Sequence, residues 1–315
     1  SPRKALNFAM GGILGSLFAV ATAFILETRD TSIKTVKEAR ELFGSTLLGT
    51  IPSFGKPEKV TPHSRDLDRA IPEVPVRDKP RSPISESYRM LQANLTFLSS
   101  DKELQVIVVT SSVPKEGKST VSTNLAVATA QLERRVLLVD ADMRRPSQHQ
   151  IWELPNAVGL SNVIAGQAEL KAALKPVMEY LDILTAGVLP PNPVALLNSN
   201  RMAKLIDDWA KYYDFVIIDT PPMAVAADAL ILGKMADGIL TVVRPGVVDS
   251  ASATSAKESL KQSGQNVLGQ VVNGVIPDNE PDSYYYYYAK GYYAEEDSPN
   301  HEKLTSKTGK PAKRL

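Results

Sequence analysis

Apolar and polar positions alternate in blocks along the middle of the chain. Short runs rich in Val, Ile and Leu have the length of strands buried on both faces, and they lie at 104–110, 135–140, 214–219, 238–244 and 267–275. Segments with a helical period lie at 84–98, 121–132, 152–165, 170–180, 201–212 and 250–263, and 182–187 is a further candidate strand. Strands that alternate with helices predict right-handed βαβ crossovers, and therefore an α/β fold with a mostly parallel, doubly wound sheet over residues 84–276.

The longest apolar block lies near the start of the chain, at residues 5–26. It contains 22 residues without a charged side chain, and Arg3, Lys4, Glu27 and Arg29 flank it. At about 1.5 Å per residue a helix of this length covers the hydrocarbon core of a bilayer. The pattern predicts a transmembrane helix with its flanks at 1–30, and a buried helix of a soluble domain is the alternative. Because the first residue is not Met, we expect the chain to be the C-terminal part of a longer protein.

Residues 31–83 predict a juxtamembrane segment followed by a linker. A short amphipathic helix is expected at 31–42, with Gly44 ending it, and an extended piece at 47–52. The composition then shifts, because residues 53–83 contain six prolines among polar residues. Such a segment is typical of a partly extended linker without a core of its own.

Composition excludes several classes of chemistry. The chain has no Cys, so disulfides, cysteine-ligated zinc or iron–sulfur sites and thiol catalysis are excluded. The net charge of +1 gives no reason to expect nucleic acid as a partner.

The segment that joins the first strand to the next helix has the composition of a phosphate-binding loop. Its sequence at 111–120 is SSVPKEGKST, and strand, tight loop and helix form the context that such a loop requires. Gly117 permits a sharp turn that brings backbone N–H groups to the phosphates, Lys118 is placed to reach the β- and γ-phosphates, and Ser119 to bind Mg²⁺. Ser112 stands where the first Gly of the motif usually lies. We predict a P-loop NTPase with nucleotide contacts from Ser112, Lys115, Glu116, Gly117, Lys118, Ser119 and Thr120; the alternative is an ordinary strand–turn–helix.

Acidic residues follow two other predicted strands. The second strand ends in Asp140 and Asp142, within VDADMRRP at 139–146, and the third strand ends in Asp219, within IIDTPP at 217–222. Ligands of open α/β sheets bind outside the carboxyl ends of the strands, so these carboxylates are expected beside the loop. An apolar strand that closes on Asp is typical of a Walker-B metal site, whereas Asp in an ordinary turn is the alternative for the first pair.

The chain from residue 277 onward lacks apolar periodicity, and we expect it to be disordered. It carries seven of the eleven tyrosines, namely Tyr284, Tyr285, Tyr286, Tyr287, Tyr288, Tyr292 and Tyr293. A buried strand would need alternating apolar residues and a partner strand, and neighbouring acids disfavour base stacking on nucleic acid. A flexible, acid-flanked tyrosine cluster at 277–315 therefore predicts a segment that enters an active site and receives phosphate.

In combination, these motifs resemble the bacterial tyrosine kinases (BY-kinases) of the polysaccharide co-polymerase group. The resemblance covers about residues 1–293 and rests on the P-loop, the V-D-A-D-M-R-R-P motif, the I-I-D-T-P-P motif and the tyrosine cluster. It implies an ATP-dependent protein-tyrosine autokinase, with Lys118 and Asp140 as catalytic residues. Lys118 would stabilise the transferred phosphoryl group, Asp140 would orient or deprotonate the tyrosine hydroxyl, and Mg²⁺ would be held by Ser119, Asp142 and Asp219.

The resemblance also implies an assembly and a location. Subunits of the family form a ring in which each tyrosine tail enters the active site of a neighbouring subunit. The contact between subunits of the ring is made by a helix with the pattern E-x-x-R-x-x-R. Glu86 and Arg89 match that pattern, and Gln92 stands where the second Arg would be. The implied location is the cytoplasmic membrane, with the kinase domain facing the cytosol. The implied partners are further copies of the chain, polysaccharide assembly or export proteins and a tyrosine phosphatase.

Two other functions share many of these motifs. One is a membrane-associated switch ATPase of the MinD/ParA type; its P-loop carries a signature Lys at the position of Val113, and it has no tyrosine run. The other is a non-catalytic regulator of polysaccharide chain length, in which nucleotide binding only controls assembly.

Overall fold

The computed structural model describes residues 2–29, 31–53, 74–98 and 103–276. The predicted tyrosine tail at 277–315 lies outside the described residues. The described part contains one eight-stranded sheet with helices on both faces, as predicted.

The sheet has the strand order β1-β8-β7-β2-β6-β3-β5-β4. Every neighbouring pair is parallel except β4 and β5. The strands are β1 (Leu47–Pro52), β2 (Val106–Ser111), β3 (Val136–Asp140), β4 (Leu174–Met178), β5 (Leu181–Leu184), β6 (Phe215–Asp219), β7 (Gly238–Val243) and β8 (Val267–Val275).

The helices are α1 (Pro2–Arg29), α2 (Val36–Phe43), α3 (Pro75–Asp78), α4 (Pro83–Phe97), α5 (Lys118–Ala130), α6 (Gln148–Ile151), α7 (Leu160–Ala165), α8 (Leu170–Ala173), α9 (Pro193–Leu197), α10 (Asn200–Tyr212), α11 (Asp228–Gly233) and α12 (Ser250–Gln262). One hydrophobic core lies between the sheet and helices α4 and α5, and a second lies between the sheet and helices α7, α10 and α11. Successive residues of β2 alternate between these cores, with Ile107 in the first and Val108 in the second. This alternation explains why the strand is apolar at every position from Val106 to Val109.

Two predicted helices are wrong in part. Only Leu170–Ala173 of the segment 170–180 is helical, and Leu174–Met178 forms an antiparallel strand at the sheet edge. Pro176 lacks an N–H group, which an edge strand tolerates and a helix interior does not. In the segment 152–165 the helix is limited to Leu160–Ala165, because Pro155 and Gly159 interrupt the chain before it.

The sequence predicts that the folded domain starts at residue 84. In the structure it starts earlier. Strand β1 pairs with β8, and Ile51 is fully buried in the core beside α4. Helix α2 ends at Gly44 as predicted, with φ of 64°, and it packs against α12. The linker also contributes to the core, because Val76 is fully buried and its N–H group donates to Asn124 Oδ1 at 3.2 Å. Of this linker, residues 54–73 lie outside the described residues.

Residues 5–26, predicted to cross a membrane, form part of helix α1. Within the part of the chain that the structure describes, no helix combines the length and the apolar character that a membrane crossing requires. The predicted transmembrane helix is therefore not confirmed.

We predict that Ile51→Ala lowers the free energy of unfolding by about 2–5 kcal/mol, because it leaves a cavity in the core beneath an edge strand. Urea unfolding followed by tryptophan fluorescence measures the change. Thr50→Ala, at the half-buried neighbouring position, is the matched control and should cost much less. An Ile51 variant as stable as the wild type would mean that residues 31–52 do not unfold with the domain.

Candidate active site

The predicted phosphate-binding loop connects β2 to α5, at the carboxyl edge of the sheet. Gly117 is the N-cap of α5 and has a φ of 90°, a conformation that L-residues rarely adopt. A Cβ atom at this position would also collide with the side-chain amide of Asn273. Glycine is therefore required for two independent reasons, and the strand–loop–helix context that the sequence predicts is confirmed.

Glu116 supports the loop from inside. Its side chain is fully buried, and its carboxylate accepts hydrogen bonds from the backbone N–H groups of Val113 at 2.7 Å and Arg244 at 3.2 Å. The Asn273 amide donates to the Glu116 carbonyl oxygen at 2.9 Å. These bonds fasten the loop to the ends of β7 and β8, so the side chain of Glu116 has a structural role.

The structure brings four of the predicted site residues together. Lys118 Nζ lies 3.0 Å from Asp142 Oδ2, 3.7 Å from Asp219 Oδ1 and 3.2 Å from Ser119 Oγ. Burial alone would lower the pKa of Lys118, but the carboxylates of Asp219 and Asp142 outweigh it, so that the pKa is raised. Lys118 is thus a mostly buried ammonium group held between the carboxylates of Asp142 and Asp219.

Asp140 lies next to this cluster, opposite Asp219 in the register of β3 and β6. It is fully buried and accepts hydrogen bonds from the backbone N–H groups of Asp142 at 3.2 Å, Ser147 at 3.0 Å and Gln148 at 2.9 Å. Burial first, and the nearby carboxylate of Asp219 second, raise the pKa of Asp140 to about 8. Because Asp140 accepts these three backbone hydrogen bonds, its side chain holds the loop after β3 in place.

An open cavity of about 580 Å³ faces the loop. Its lining combines the phosphate-binding loop with a cationic part and an apolar part, contributed by Pro114, Lys115, Gly117, Lys118, Ser119, Thr120, Asp142, Arg144, Arg145, Ser147, Pro221, Pro222 and Val225. Asp140, Asp219, Ser112 and Glu116 do not belong to the lining, since they are buried behind it. The cavity is large enough for the phosphates of a nucleotide and part of a second substrate.

Two residues with a part in this arrangement escaped the sequence analysis. Gln148 is fully buried, and its side-chain NH₂ donates to Asp219 Oδ2 at 2.9 Å and to the Ser119 carbonyl oxygen at 3.2 Å. Asp228 is also fully buried, and its ion-pair partner is Arg144, 3.5 Å away. Neither residue belongs to a recognisable motif. Each interacts with a partner that is distant in the sequence, so no local pattern indicates its role.

The oxygen atoms at this edge fit Mg²⁺ when it arrives with a nucleotide. Among the described residues, no group of three or more His, Asp or Glu side chains is arranged to hold a metal alone. Asp219 Oδ1 is buried without a hydrogen-bond donor among those residues, and Asp142 and the Ser119 hydroxyl lie around the same ammonium group. Mg²⁺ prefers such carboxylate and hydroxyl oxygens, and it commonly keeps waters and substrate phosphates as further ligands.

The residues predicted to contact a second subunit lie away from the cavity, on α4. Arg89 Nη1 and Glu86 Oε2 form an ion pair of 3.1 Å, and both side chains are partly exposed. Gln92 Nε2 donates to Thr96 Oγ1 at 3.1 Å. The two charges are therefore accessible, although they already neutralise each other within one chain.

Comparisons with known proteins agree with this architecture. The model of an AAA domain family matches residues 104–248. The tyrosine-protein kinase YwqD of Bacillus subtilis (strain 168) is 41% identical over 209 residues, which cover 66% of this chain and 88% of YwqD. The tyrosine-protein kinase Etk of Escherichia coli (strain K12) is 32% identical over 286 residues, which cover 87% of this chain but only 39% of Etk. The solved kinase domain of Escherichia coli ETK is 33% identical and superposes with a TM-score of 0.69, covering 77% of this chain and 95% of that domain.

We predict that Glu116→Gln weakens the pH dependence of stability. Burial raises the pKa of Glu116 to about 7 from 4.5. The folded chain thus keeps a proton that the unfolded chain releases, and stability is lost as the pH rises from 4.5 through 7. The amide in the variant cannot ionise, so the stability of the variant relative to wild type should rise by up to about 3 kcal/mol from pH 4.5 to pH 8.

Urea unfolding at several pH values measures this difference. Glu258→Gln, at an exposed position of α12, is the matched control and should follow the wild type at every pH. An equal pH dependence in Glu116→Gln and wild type would contradict the burial argument.

Proposed function

The chain belongs to the bacterial tyrosine-protein kinases, and from this premise we propose that it transfers the γ-phosphoryl group of ATP to the tyrosine cluster of a neighbouring copy. The observation that carries the proposal is the convergence of Lys118, Asp142 and Ser119 on one open cavity beside the phosphate-binding loop. Phosphoryl transfer depends mainly on positioning and on charge neutralisation, and these groups supply both.

The nucleotide would be held by the loop and by Lys118. Backbone N–H groups of residues 115–120 lie at the N-terminus of α5, where donors lack partners within the helix. Lys118 Nζ pairs with Asp142 in the structure, and we propose that it donates to the β- and γ-phosphate oxygens when ATP binds. Ser119, Asp142 and Asp219 are the residues that would hold Mg²⁺, which supplies neutralising charge at the phosphates.

In the transfer step the bond between the γ-phosphorus and the bridging oxygen of ADP breaks. A bond between that phosphorus and the tyrosine Oη forms, and the phenolic proton leaves. Because Asp142 is proposed to hold Mg²⁺, we propose that Asp140, which lies behind the cavity lining at the end of β3, orients the incoming tyrosine hydroxyl or takes its proton. A general base must come within hydrogen-bond reach of the proton, directly or through one water, so this role requires the bound tyrosine hydroxyl to approach the buried Asp140 carboxyl.

Transfer between copies requires an assembly, and we propose a ring that uses Glu86 and Arg89 of α4. Support comes from the family pattern in this helix and from the accessibility of both charges. The same helix also exposes apolar surface at Met90 and Phe97, which a second subunit would cover. Replacing Glu86 and Arg89 by Ala should lower the particle mass measured by light scattering, and an unchanged mass would contradict this contact.

We propose further that the chain works at the cytoplasmic membrane, with its kinase domain facing the cytosol, where ATP is available. The described side chains of α1, residues 8–22, are all exposed, among them Phe8, Leu17 and Phe18. Such apolar surface favours a lipid interface. Removal of residues 1–30 should abolish flotation with lipid vesicles, and unchanged flotation would contradict this location.

A role in exopolysaccharide synthesis or export, with its assembly proteins and a phosphatase as partners, rests on the family alone. If the role depends on kinase activity, cells with Lys118→Met should produce polysaccharide of altered amount or length. Unaltered polysaccharide would instead favour a regulator that does not need catalysis.

We predict that Lys118→Met abolishes tyrosine phosphate on the purified chain incubated with Mg-ATP, because the variant lacks the ammonium group that neutralises the phosphates. Phosphosite mass spectrometry is the measurement, and Lys211→Met, at an exposed position of α10, is the matched control. Retained labelling of Lys118→Met would refute the site. ATP hydrolysis without phosphotyrosine in the wild type would favour a switch ATPase.

A second variant tests the acceptors. Replacement of Tyr284–Tyr288, Tyr292 and Tyr293 by Phe should remove most of the labelling while ATP binding persists, because Phe keeps the ring but lacks the hydroxyl. Labelling that continues mainly on Tyr88 or Tyr212 would show that the tail is not the substrate.

A further inference from the structure

The cavity lining includes a cationic side chain, Arg145, that has no anionic partner among the described residues of the site. Lys118 pairs with Asp142, and Arg144 pairs with the buried Asp228. Arg145 is exposed, lines the cavity, and its guanidinium makes no hydrogen bond or ion pair within the part of the chain that the structure describes. Its backbone is nevertheless fixed, since its N–H group donates to Asp142 Oδ1 at 2.9 Å. Arg145 thus presents a positive charge at a set place beside the phosphoryl-transfer groups.

The cavity lining also has an apolar part, formed by Pro221, Pro222 and Val225 of the loop after β6. Val225 is 52% exposed, so its apolar side chain is accessible to a group that enters the cavity. Contact with such side chains does not stabilise a phosphate. It does stabilise an aromatic ring, because the contact removes apolar surface of the ring from water.

The sequence of the proposed substrate complements both features. Six acidic residues and one basic residue lie between positions 277 and 297, around the seven tyrosines. Three of the acids precede the cluster and three follow it, as Asp278, Glu280, Asp282, Glu295, Glu296 and Asp297. Tyr284 lies two residues after Asp282, and Tyr293 lies two residues before Glu295. A tyrosine at either end of the cluster is therefore always accompanied by a carboxylate.

We propose that Arg145 determines substrate specificity by pairing with acidic residues next to the acceptor tyrosine, while Pro222 and Val225 contact its ring. This inference rests on the proposed kinase function and names its substrate class, acid-flanked tyrosine peptides. Guanidinium groups bind carboxylates and phosphates alike through paired N–H donors. Phosphate added to Tyr284 or Tyr293 therefore provides a new anion for Arg145.

The test uses full-length chains in separate roles. The enzyme carries Phe at the seven tail tyrosines and has either Arg145 or Arg145→Glu. The acceptor carries Lys118→Met with an intact tyrosine cluster, and its six flanking acids are native, changed to the corresponding amides, or changed to Lys. Initial rates of tyrosine phosphorylation are measured over a range of acceptor concentrations at saturating ATP.

With Arg145, the native acceptor should be phosphorylated about three- to tenfold more efficiently than the lysine acceptor, mainly through a lower KM, as for a partly exposed ion pair. With Arg145→Glu the preference should reverse. Both differences should shrink at high salt, since salt screens exposed charges. Lys261→Glu, on the exposed surface of α12, is the matched charge control and should keep the native preference.

Other outcomes distinguish a failure of the proposed role of Arg145 from a failure of the proposed kinase function. Equal rates for the three acceptors, or a preference that Arg145→Glu leaves unchanged, would overturn the role of Arg145 and leave the kinase function intact. An equal loss with all three acceptors, together with a raised KM for ATP of Arg145→Glu in a separate ATP titration, would also overturn it, because Arg145 would then serve the nucleotide. No phosphorylation of any acceptor by the enzyme with Arg145 would overturn the kinase function itself.

Discussion

The active site depends on one buried ion cluster, in which the ammonium group of Lys118 lies between the carboxylates of Asp142 and Asp219. A buried charge without a partner is costly, so each member of such a cluster requires the others. The register of β3 and β6 puts Asp140 and Asp219 side by side, and Asp142 follows two residues after the end of β3. The phosphate-binding loop delivers Lys118 between Asp142 and Asp219. Gln148 fixes Asp219, and Glu116 fixes the loop. Much of the carboxyl edge therefore serves to hold this cluster in position.

The cluster has more negative than positive charge. Asp140, Asp142 and Asp219 face one lysine, and burial raises the pKa of both Asp140 and Asp219. An added cation relieves this excess, which explains physically why a divalent metal suits the site. In the structure Lys118 pairs with Asp142, and in the proposed mechanism the phosphates of ATP would take the place of that carboxylate. The chain is a protein-tyrosine kinase by its relatives, and this arrangement is suited to transfer a phosphoryl group.

Motifs at the ends of apolar strands allowed most of the site to be predicted from the sequence. Parallel strands deliver their last residues to one edge, so Lys118, Asp142 and Asp219 could be grouped without a structure. Gln148 could not be found in this way, because its partner Asp219 is 71 residues away and only the fold brings them together. Strand β4 and the early start of the domain were missed for a related reason. Pro176 and the segment around Ile51 acquire their structure from neighbouring strands rather than from local periodicity.

The central claim, transfer from one copy to the tail of another, is tested most directly by complementation. Two chains that should not become labelled on their tails when incubated alone are mixed with Mg-ATP: one carries Lys118→Met with an intact tail, and the other carries Phe at the seven tail tyrosines with an intact site. Transfer between copies should produce phosphotyrosine at positions 284–293 of the Lys118→Met chain, found by mass spectrometry only in the mixture. Absence of that phosphate, under conditions in which the wild-type chain is labelled, would contradict transfer between copies.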